Sequence, residues 1–280
     1  MPPVCFRCAR GRGRAPTARI RLSDPGWRSA AAHHHVPLLD PAELAWEFLR
    51  RNPDYYTSFE AHSPAADRKP DGPARRWGLR FFADPKHAAH EANVFWHPDE
   101  SAFVIILGPR RDRGGAEAFV VDDWLMSLPS RRAADGTHVL LKDGKHRYQI
   151  LLTTPPKRGV VRVAVMPLDI TTPYRGHETR KFWDYASRGH PRPRFTAASR
   201  LDRLNMALRA LDLRLAGGTY RSIAEALFGP LPADQAPWKT AATRDTVIRL
   251  VRTGIFMMRS GYRRLLGPNE PDPVSSTPSR

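Results

Sequence analysis

Two sets of residues in this chain could do chemistry, and the chemistry differs. The first is cationic and hydroxyl-bearing: Lys239, Thr240, Thr243, Thr246, Arg249 and Arg252 follow one another at helical spacing. Arginine presents a planar fork that gives guanine or a phosphate two hydrogen bonds, so these residues suit contact with nucleic acid rather than turnover. Upstream, Thr219 and Arg221 stand at an expected helix start, where backbone N–H groups can hold a phosphate. Between Arg188 and Arg200 the chain carries Arg192 and Arg194, with Pro191 and Pro193 keeping it extended, as in an arm that tracks a phosphate backbone or a minor groove. The second set is His87, His90 and His97 with Asp84, Glu91 and Asp99, a composition compatible with a metal nuclease. Pro85 and Pro98 interrupt that segment, and it contains no HExxH-like register or tight acidic pair. A lone Cys5-Phe6-Arg7-Cys8 lies far from His33-His34-His35, whereas a zinc site takes about four ligands. With no Gly-rich phosphate loop and no Ser/His/Asp set, the expectation is a non-enzyme with no catalytic residue, metal or cofactor.

The basic residues need helices to present them. Thr219 to Gly229 reads as a short amphipathic helix with a threonine cap and a glycine stop, burying Tyr220, Ile223, Ala224, Leu227 and Phe228. Before it, Thr196 can cap a helix whose Leu201, Leu204, Leu208, Leu211 and Leu215 form one stripe, ended by Gly217-Gly218. After it, a helix from about Thr240 past Met258 turns Val247, Ile248, Val251, Ile255 and Met258 inward, leaving Thr246, Arg249, Arg252 and Thr253 opposite or flanking. That order is a helix-turn-helix, a device for placing one helix in the DNA major groove. The link from Phe228 to Thr240 has 11 intervening residues, against about three or four in a simple helix-turn-helix, and Trp238 is expected to pin it. Arg244 falls in line with Val251 and Ile255, so it is expected near the inner face with Glu225 or Asp212 as its partner.

The charge agrees with a polyanionic partner. The 280 residues carry a formal +17, with a pI of about 10.8. Six arginines and no acid lie in residues 1–21, and 18 Lys/Arg against seven Asp/Glu lie in 174–267, so these two blocks hold the whole excess. No run of 18 apolar residues occurs, so no membrane span is expected, and the two cysteines suit a reducing cytoplasm. The expected location is cytoplasmic and nucleoid-associated. Residues 1–22 are read as a disordered basic extension. A helical unit follows over 23–60, where Asp40-Pro41-Ala42-Glu43 is a strong helix start and Asn52-Pro53 a stop. The aromatics Tyr55, Tyr56 and Phe59 are expected to pack on the next domain rather than form a partner-binding patch.

Residues 61–76 read as a linker, and residues 77–170 as a central, mostly antiparallel β domain. Its candidate strands are Trp77–Phe82, Asn93–Trp96, Ala102–Leu107, Ala118–Val121, His138–Lys142, Lys145–Leu152 and Val160–Met166. Asp143-Gly144 marks a two-residue hairpin turn. The fold class is therefore α+β: an N-terminal helical unit, the β domain, an all-α helix-turn-helix domain over 180–266, and a disordered tail over 267–280.

Several spaced blocks in the last hundred residues resemble one family. Asn205-Met206-Ala207-Leu208-Arg209-Ala210-Leu211-Asp212, Tyr220–Gly229, Trp238-Lys239-Thr240, Arg244-Asp245, Ile248-Arg249-Leu250-Val251-Arg252 and Gly261-Tyr262-Arg263 are similar to the RovC-like DNA-binding domain of proteobacterial regulators. Asp40 to Pro53 resembles a short transcriptional-regulator-like domain often found before it. The resemblance implies transcription regulation by binding double-stranded DNA. A homo-oligomer is a further expectation, since paired copies gain specificity from paired half-sites. An RNA- or single-strand-binding accessory protein of replication or conjugation, without catalysis, is the alternative.

Overall fold

The computed structural model describes residues 39–62, 72–110, 122–143, 146–188, 198–230 and 242–268. The Cys5–Cys8 pair, the His33–His35 run, the extension 1–22, the arm residues Arg192 and Arg194, and Trp238, Lys239 and Thr240 lie outside them, as does all but the start of the tail 267–280. Helix α1 (Pro41–Leu49) begins as its sequence requires: Glu43 N donates to Asp40 Oδ1 (2.8 Å) and Asp40 N to Glu43 Oε2 (2.9 Å), a complete capping box. Asn52 caps α2 (Pro53–Glu60) by accepting from Asp54 N, and its amide donates to Met258 O (3.2 Å). Tyr55 is fully buried, edge-on to Trp46 and Trp77 at 5.6 and 5.5 Å, with its hydroxyl donating to Ala83 O (2.6 Å). Tyr55 and Phe59, the latter 6.3 Å from the Phe82 ring, therefore pack on the following segment, while Tyr56 is half-buried.

Two expected strands are not strands. Pro73–Trp77 is a 3₁₀ turn ended by Gly78 at φ 73, and Leu79 and Trp96 share a single bridge. Proline sets the turn, Ala74 and Trp77 anchor it in the core, and a side chain replaces the missing neighbour. Trp96 N donates to Gln149 Oε1 (2.8 Å), and Gln149 Nε2 donates to Trp96 O (2.6 Å). Ala118–Val121 lies outside the described residues.

Among the described residues the sheet has five strands: β1 (Val104–Pro109), β2 (Ser130–Ala133), β3 (Gly136–Asp143), β4 (His146–Leu152) and β5 (Arg162–Val165), in the order β2-β3-β4-β1-β5. Only β1 and β4 run parallel, so the sheet is mostly antiparallel. The β3–β4 hairpin closes with Asp143 opposite His146. Tyr148, Ile150 and Leu152 of β4 face one side, with Ile105, Leu107, Val139 and Leu141, and are covered by Leu125 of α3 (Asp122–Leu125) and Phe182 of α4 (Thr172–Arg188). The other side gives Val104 and Leu151 to the core around α1, and Leu140 to Phe81 and Phe95. The class is α+β.

Three helices follow among the described residues: α5 (Ala198–Leu215), α6 (Tyr220–Phe228) and α7 (Ala242–Arg259), with a 3₁₀ turn after them at Gly261–Leu265. Helix α5 has two apolar faces, not one. Leu204, Leu208 and Leu211 join the core around Trp46, while Ala207 and Ala210 face α6 and α7. Leu215, expected in the stripe, is 42% exposed because it lies past the last turn that α1 covers. The α5–α7 crossing is close: a Cβ on Gly254 would stand 2.6 Å from Ala207 O.

One buried ion network fastens α5 to α1. The Arg51 guanidinium donates from Nε and Nη2 to both oxygens of Asp212 on α5, and from Nη1 to Glu47 Oε2 (2.7 Å) on α1. Glu47 also accepts from Arg50 Nε and Ala89 N (both 2.7 Å). Burial pushes the Glu47 pKa up, but Arg50 and Arg51 outweigh it and hold the carboxyl at about 2.

Asp212→Ala strips the cation of its main partner, and breaking a buried pair costs roughly 3–5 kcal/mol. We expect a loss of about 3 kcal/mol in urea unfolding, since Glu47 stays in place, with Asp212→Asn losing less. Glu47 has a separate signature. Its folded pKa lies below its ordinary 4.5, so its stabilisation is complete above that value and is lost as pH falls from 4.5 towards 2. The melting temperature should drop across that window, and Glu47→Gln should flatten the drop.

Candidate nucleic-acid interface

The short helix at the centre of the motif forms as its residues dictate. Thr219 Oγ1 accepts from Ser222 N (3.1 Å) at the start of α6, and Gly229, at φ 90, donates its N–H to Glu225 O (3.0 Å) at the end. Ala216 to Thr219 make the tight turn from α5. Gly217 sits at φ 88, and Gly218 N donates to Leu213 O (2.9 Å). A Cβ on Gly218 would lie 2.7 Å from that same oxygen, so only glycine fits without a shift. Ile223 and Ala224 then meet Ala207, Ala210, Val247, Leu250 and Val251 in a three-helix core, with Tyr220 and Leu227 partly buried against it. Phe228, expected among them, does not join them: at the last residue of α6 it is 44% exposed.

On α7 the inward set is Val247, Leu250, Val251, Gly254, Met257 and Met258, with Ile248 and Ile255 half-buried. The outward stripe is Asp245, Arg249, Arg252, Phe256 and Arg259, spaced four and three apart. Arg249 and Arg252 are thus where the periodicity places them, and Thr243 and Thr246 flank them half-buried. Thr246 Oγ1 donates to Ala242 O (3.1 Å), and the Arg249 guanidinium reaches that hydroxyl at 3.5 Å. Among the described residues, Arg249, Arg252 and Arg259 form no ion pair. Met257 and Met258 pack into the core around α1, so the C-terminal half of α7 is docked and its N-terminal half projects beyond that contact.

Arg244 departs from expectation. Its side chain is 38% exposed, and its nearest acid is Asp245 at 3.7 Å. Neither expected partner is available: Asp212 is turned to α1 and held by Arg51, and Glu225 points outward to Arg221 (3.2 Å) on α6. Arg221 is therefore exposed at the start of α6 but shared with Glu225, and the Thr219 hydroxyl is engaged as a cap.

The histidines and acids of the middle section hold turns. Asp84 Oδ1 accepts from Lys86 N, and Glu91 Oε2 accepts from Ala88 N. His97 is buried against Arg75 (Nη1 to Nε2, 2.7 Å), and burial, then Arg75, pushes its pKa below the ordinary value. His90 stands beside Glu91 at 3.6 Å. Among the described residues no three of His, Cys, Asp and Glu gather as metal ligands, and no helix is long and apolar enough to cross a membrane.

Residues 165–267 match the family model described as T6SS transcription factor, DNA-binding domain. The C-terminal part of this chain is a RovC-like DNA-binding domain. Residues 26–82 match the proteobacterial transcriptional regulator-like domain, which includes α1, α2 and the 3₁₀ turn at Trp77. None of the curated proteins compared with the chain matches it. Both domains are those of DNA-binding transcriptional regulators, and the role they indicate is regulation rather than catalysis.

The RovC-like domain takes in α4 as well as the three-helix core. It also contains basic residues that the sequence reading passed over. Arg259 and the exposed Phe256 continue the Arg249–Arg252 stripe by two more turns, a signal already present in the 100° period. Arg214 lies at the α5–α6 turn, donating to Gly218 O (3.0 Å) and covering the Tyr220 ring at 5.3 Å. No sequence pattern marked it, since its place depends on the turn closing back.

Because Thr219 caps α6, Thr219→Ala should lower stability by about 1 kcal/mol, and Thr219→Ser should restore most of it. Chemical denaturation of the three proteins checks this. Unchanged stability in the alanine variant would mean that the cap contributes nothing to the fold.

Proposed function

We propose that this chain is a transcriptional regulator that binds duplex DNA sequence-specifically through its C-terminal helix-turn-helix, with the N-terminal half of α7 as the reading element. Helices α5 and α6 support α7, and the tight glycine turn between them gives a fixed frame. The observation that carries the reading is the outward face of α7, where Arg249 and Arg252 stand exposed, without an ion pair among the described residues, flanked by Thr243 and Thr246. A guanidinium in that position can give two hydrogen bonds to a guanine edge, and each such pair discriminates by about 1–3 kcal/mol. Thr219 and Arg221 at the α6 start are assigned to phosphate contact, where backbone N–H groups and the helix dipole favour an anion. Lys239 and Thr240, immediately before α7, and the arm residues Arg192 and Arg194 complete the proposed contact set. Phosphate neutralisation supplies affinity without sequence information, and the α7 residues supply the readout. No cofactor has a part in this reading.

The test is fluorescence anisotropy of the full chain with sheared genomic duplex DNA over a range of salt, with single-stranded DNA and RNA as competitors. Affinity should fall with salt at a log–log slope of about −0.9 per phosphate contact. Arg249→Ala/Arg252→Ala should weaken binding about tenfold or more, from the worth of a bidentate contact, while the melting temperature stays near wild type because both side chains are exposed. Equal or better competition by single strands would favour the accessory-protein reading. Strong duplex binding untouched by the double variant would move the interface from α7 to the basic segments around Arg192 and Arg194.

A further inference from the structure

The two edges of the sheet differ in kind. The β2 edge carries Arg131 and Arg132, with Arg131 lying over the Phe81 ring at 4.1 Å. Such charges are how natural sheets keep an edge from pairing with another chain. The β5 edge has none of this protection. It runs Val163-Ala164-Val165-Met166, continues through Pro167 and Leu168 without a charge, and among the described residues pairs with β1 alone. Its one cation, Arg162, is folded back onto Thr154 Oγ1 (2.7 Å) and Pro155 O (3.2 Å), away from guard duty.

The phase of the ladder shows which backbone groups face outward. Arg110 N donates to Val161 O (2.9 Å), so Val161, Val163 and Val165 turn their peptide groups to β1. Arg162, Ala164 and Met166 turn theirs away from the sheet. Beside that edge lies an apolar surface: Val163 is 42% exposed, Val165 46%, Met166 40%, Leu168 94%, Ile170 53% and Tyr174 47%. Val163 and Val165 share one face of the strand and Met166 stands on the other, toward Gly176 of α4, so a chain paired along this edge would cover apolar side chains on both faces.

We propose that the β5 edge pairs antiparallel with the β5 edge of a second copy of this chain, about a two-fold axis at Ala164. A second copy is the occupant that fits because the segment is self-complementary under that axis. Ala164 faces the second copy's Ala164 as a doubly hydrogen-bonded pair, Arg162 and Met166 exchange bonds with the second copy's Met166 and Arg162, and Val163 stands beside the second copy's Val165 on one face. Charge points to the same place. Two chains of formal charge +17 repel, and this edge is uncharged from Val163 to Leu168, with Arg162 at its end held on Thr154 and Pro155. The pairing extends the sheet to ten strands and carries two RovC-like domains on one rigid body.

Sedimentation velocity of the full chain at micromolar concentration tests the pairing directly. Wild type should sediment as a dimer or a larger even-numbered assembly, and added salt should favour it by screening the repulsion. Ala164→Pro should halve the mass while leaving the melting curve in place, because the Ala164 N–H points away from β1 and its loss removes no bond among the described residues. Val165→Lys should do the same by placing cations across the axis. In a Cys5→Ser/Cys8→Ser background, Ala164→Cys should give a disulfide-linked dimer under mild oxidation, since facing residues of a bonded antiparallel pair lie about 5.5 Å apart. A monomeric wild type overturns the proposal. So does an assembly that survives both edge variants, or one in which Ala164→Cys does not cross-link.

Discussion

Arg51 sets the geometry on which the rest of the molecule depends. Its guanidinium is buried between Glu47 of α1 and Asp212 of α5, giving two parallel bonds to one carboxylate and a third to the other. A planar fork of this kind accepts a narrow range of approach angles. A buried pair adds little net stability over an apolar contact of the same size, but a misdocked helix would leave a buried cation unpaired at a cost of several kcal/mol. We read the network as a device for orientation. It fixes α5 against α1, and the leucine face of α5 fills in behind it. The opposite alanine face then decides where α6 and α7 sit, with Gly254 allowing α7 to cross α5 at backbone contact. The outward arginines of α7 are placed, through these steps, by a salt bridge on the other side of α5.

The middle of the chain is held together by side chains standing in for strands. Between Ala83 and His97 the backbone is mostly irregular and largely buried, so its carbonyls need partners. Trp46 Nε1 donates to His87 O, Arg50 to Pro85 O, Lys142 to Ala92 O, and Arg147 to Ala89 O and Val94 O. Gln149 bonds both backbone groups of Trp96. These donors come from α1 on one side and from β3 and β4 on the other, so one loop joins the regulator-like domain to the sheet. The sheet and the C-terminal helices meet the same core: Ala102 N donates to Leu266 O, and the Tyr262 hydroxyl donates to Trp77 O.

Cationic and apolar chemistry are separated on the surface. The exposed stripe of α7 combines arginines with one aromatic ring, while the β5 edge and the segment after it are uncharged over six residues. A strongly basic chain gains long-range attraction for a polyanion and loses attraction for its own kind. Contact between copies is then favoured only where charge is absent.

What the residues settled alone was local. The Asp40 box, the Thr219 cap, the Gly217 and Gly229 stops, the β3–β4 hairpin and the outward phase of Arg249 and Arg252 each depend on groups within about four positions of one another, and the periodicity showed them. Tertiary structure decided what lies beyond that reach. Helix α5 read as one leucine stripe, because its second face is built of alanines that periodicity scores weakly. Trp77–Phe82 read as a strand, because β-rich composition cannot tell a sheet neighbour from a glutamine amide standing in for one. Arg244 read as a partner of Glu225 or Asp212, but Glu225 faces Arg221 and Asp212 is held by Arg51, 161 positions away in the chain. Which carboxylate meets which cation is set by packing between distant segments. Charge and spacing name the candidates, and only the closed core, by excluding water and fixing angles, makes the choice.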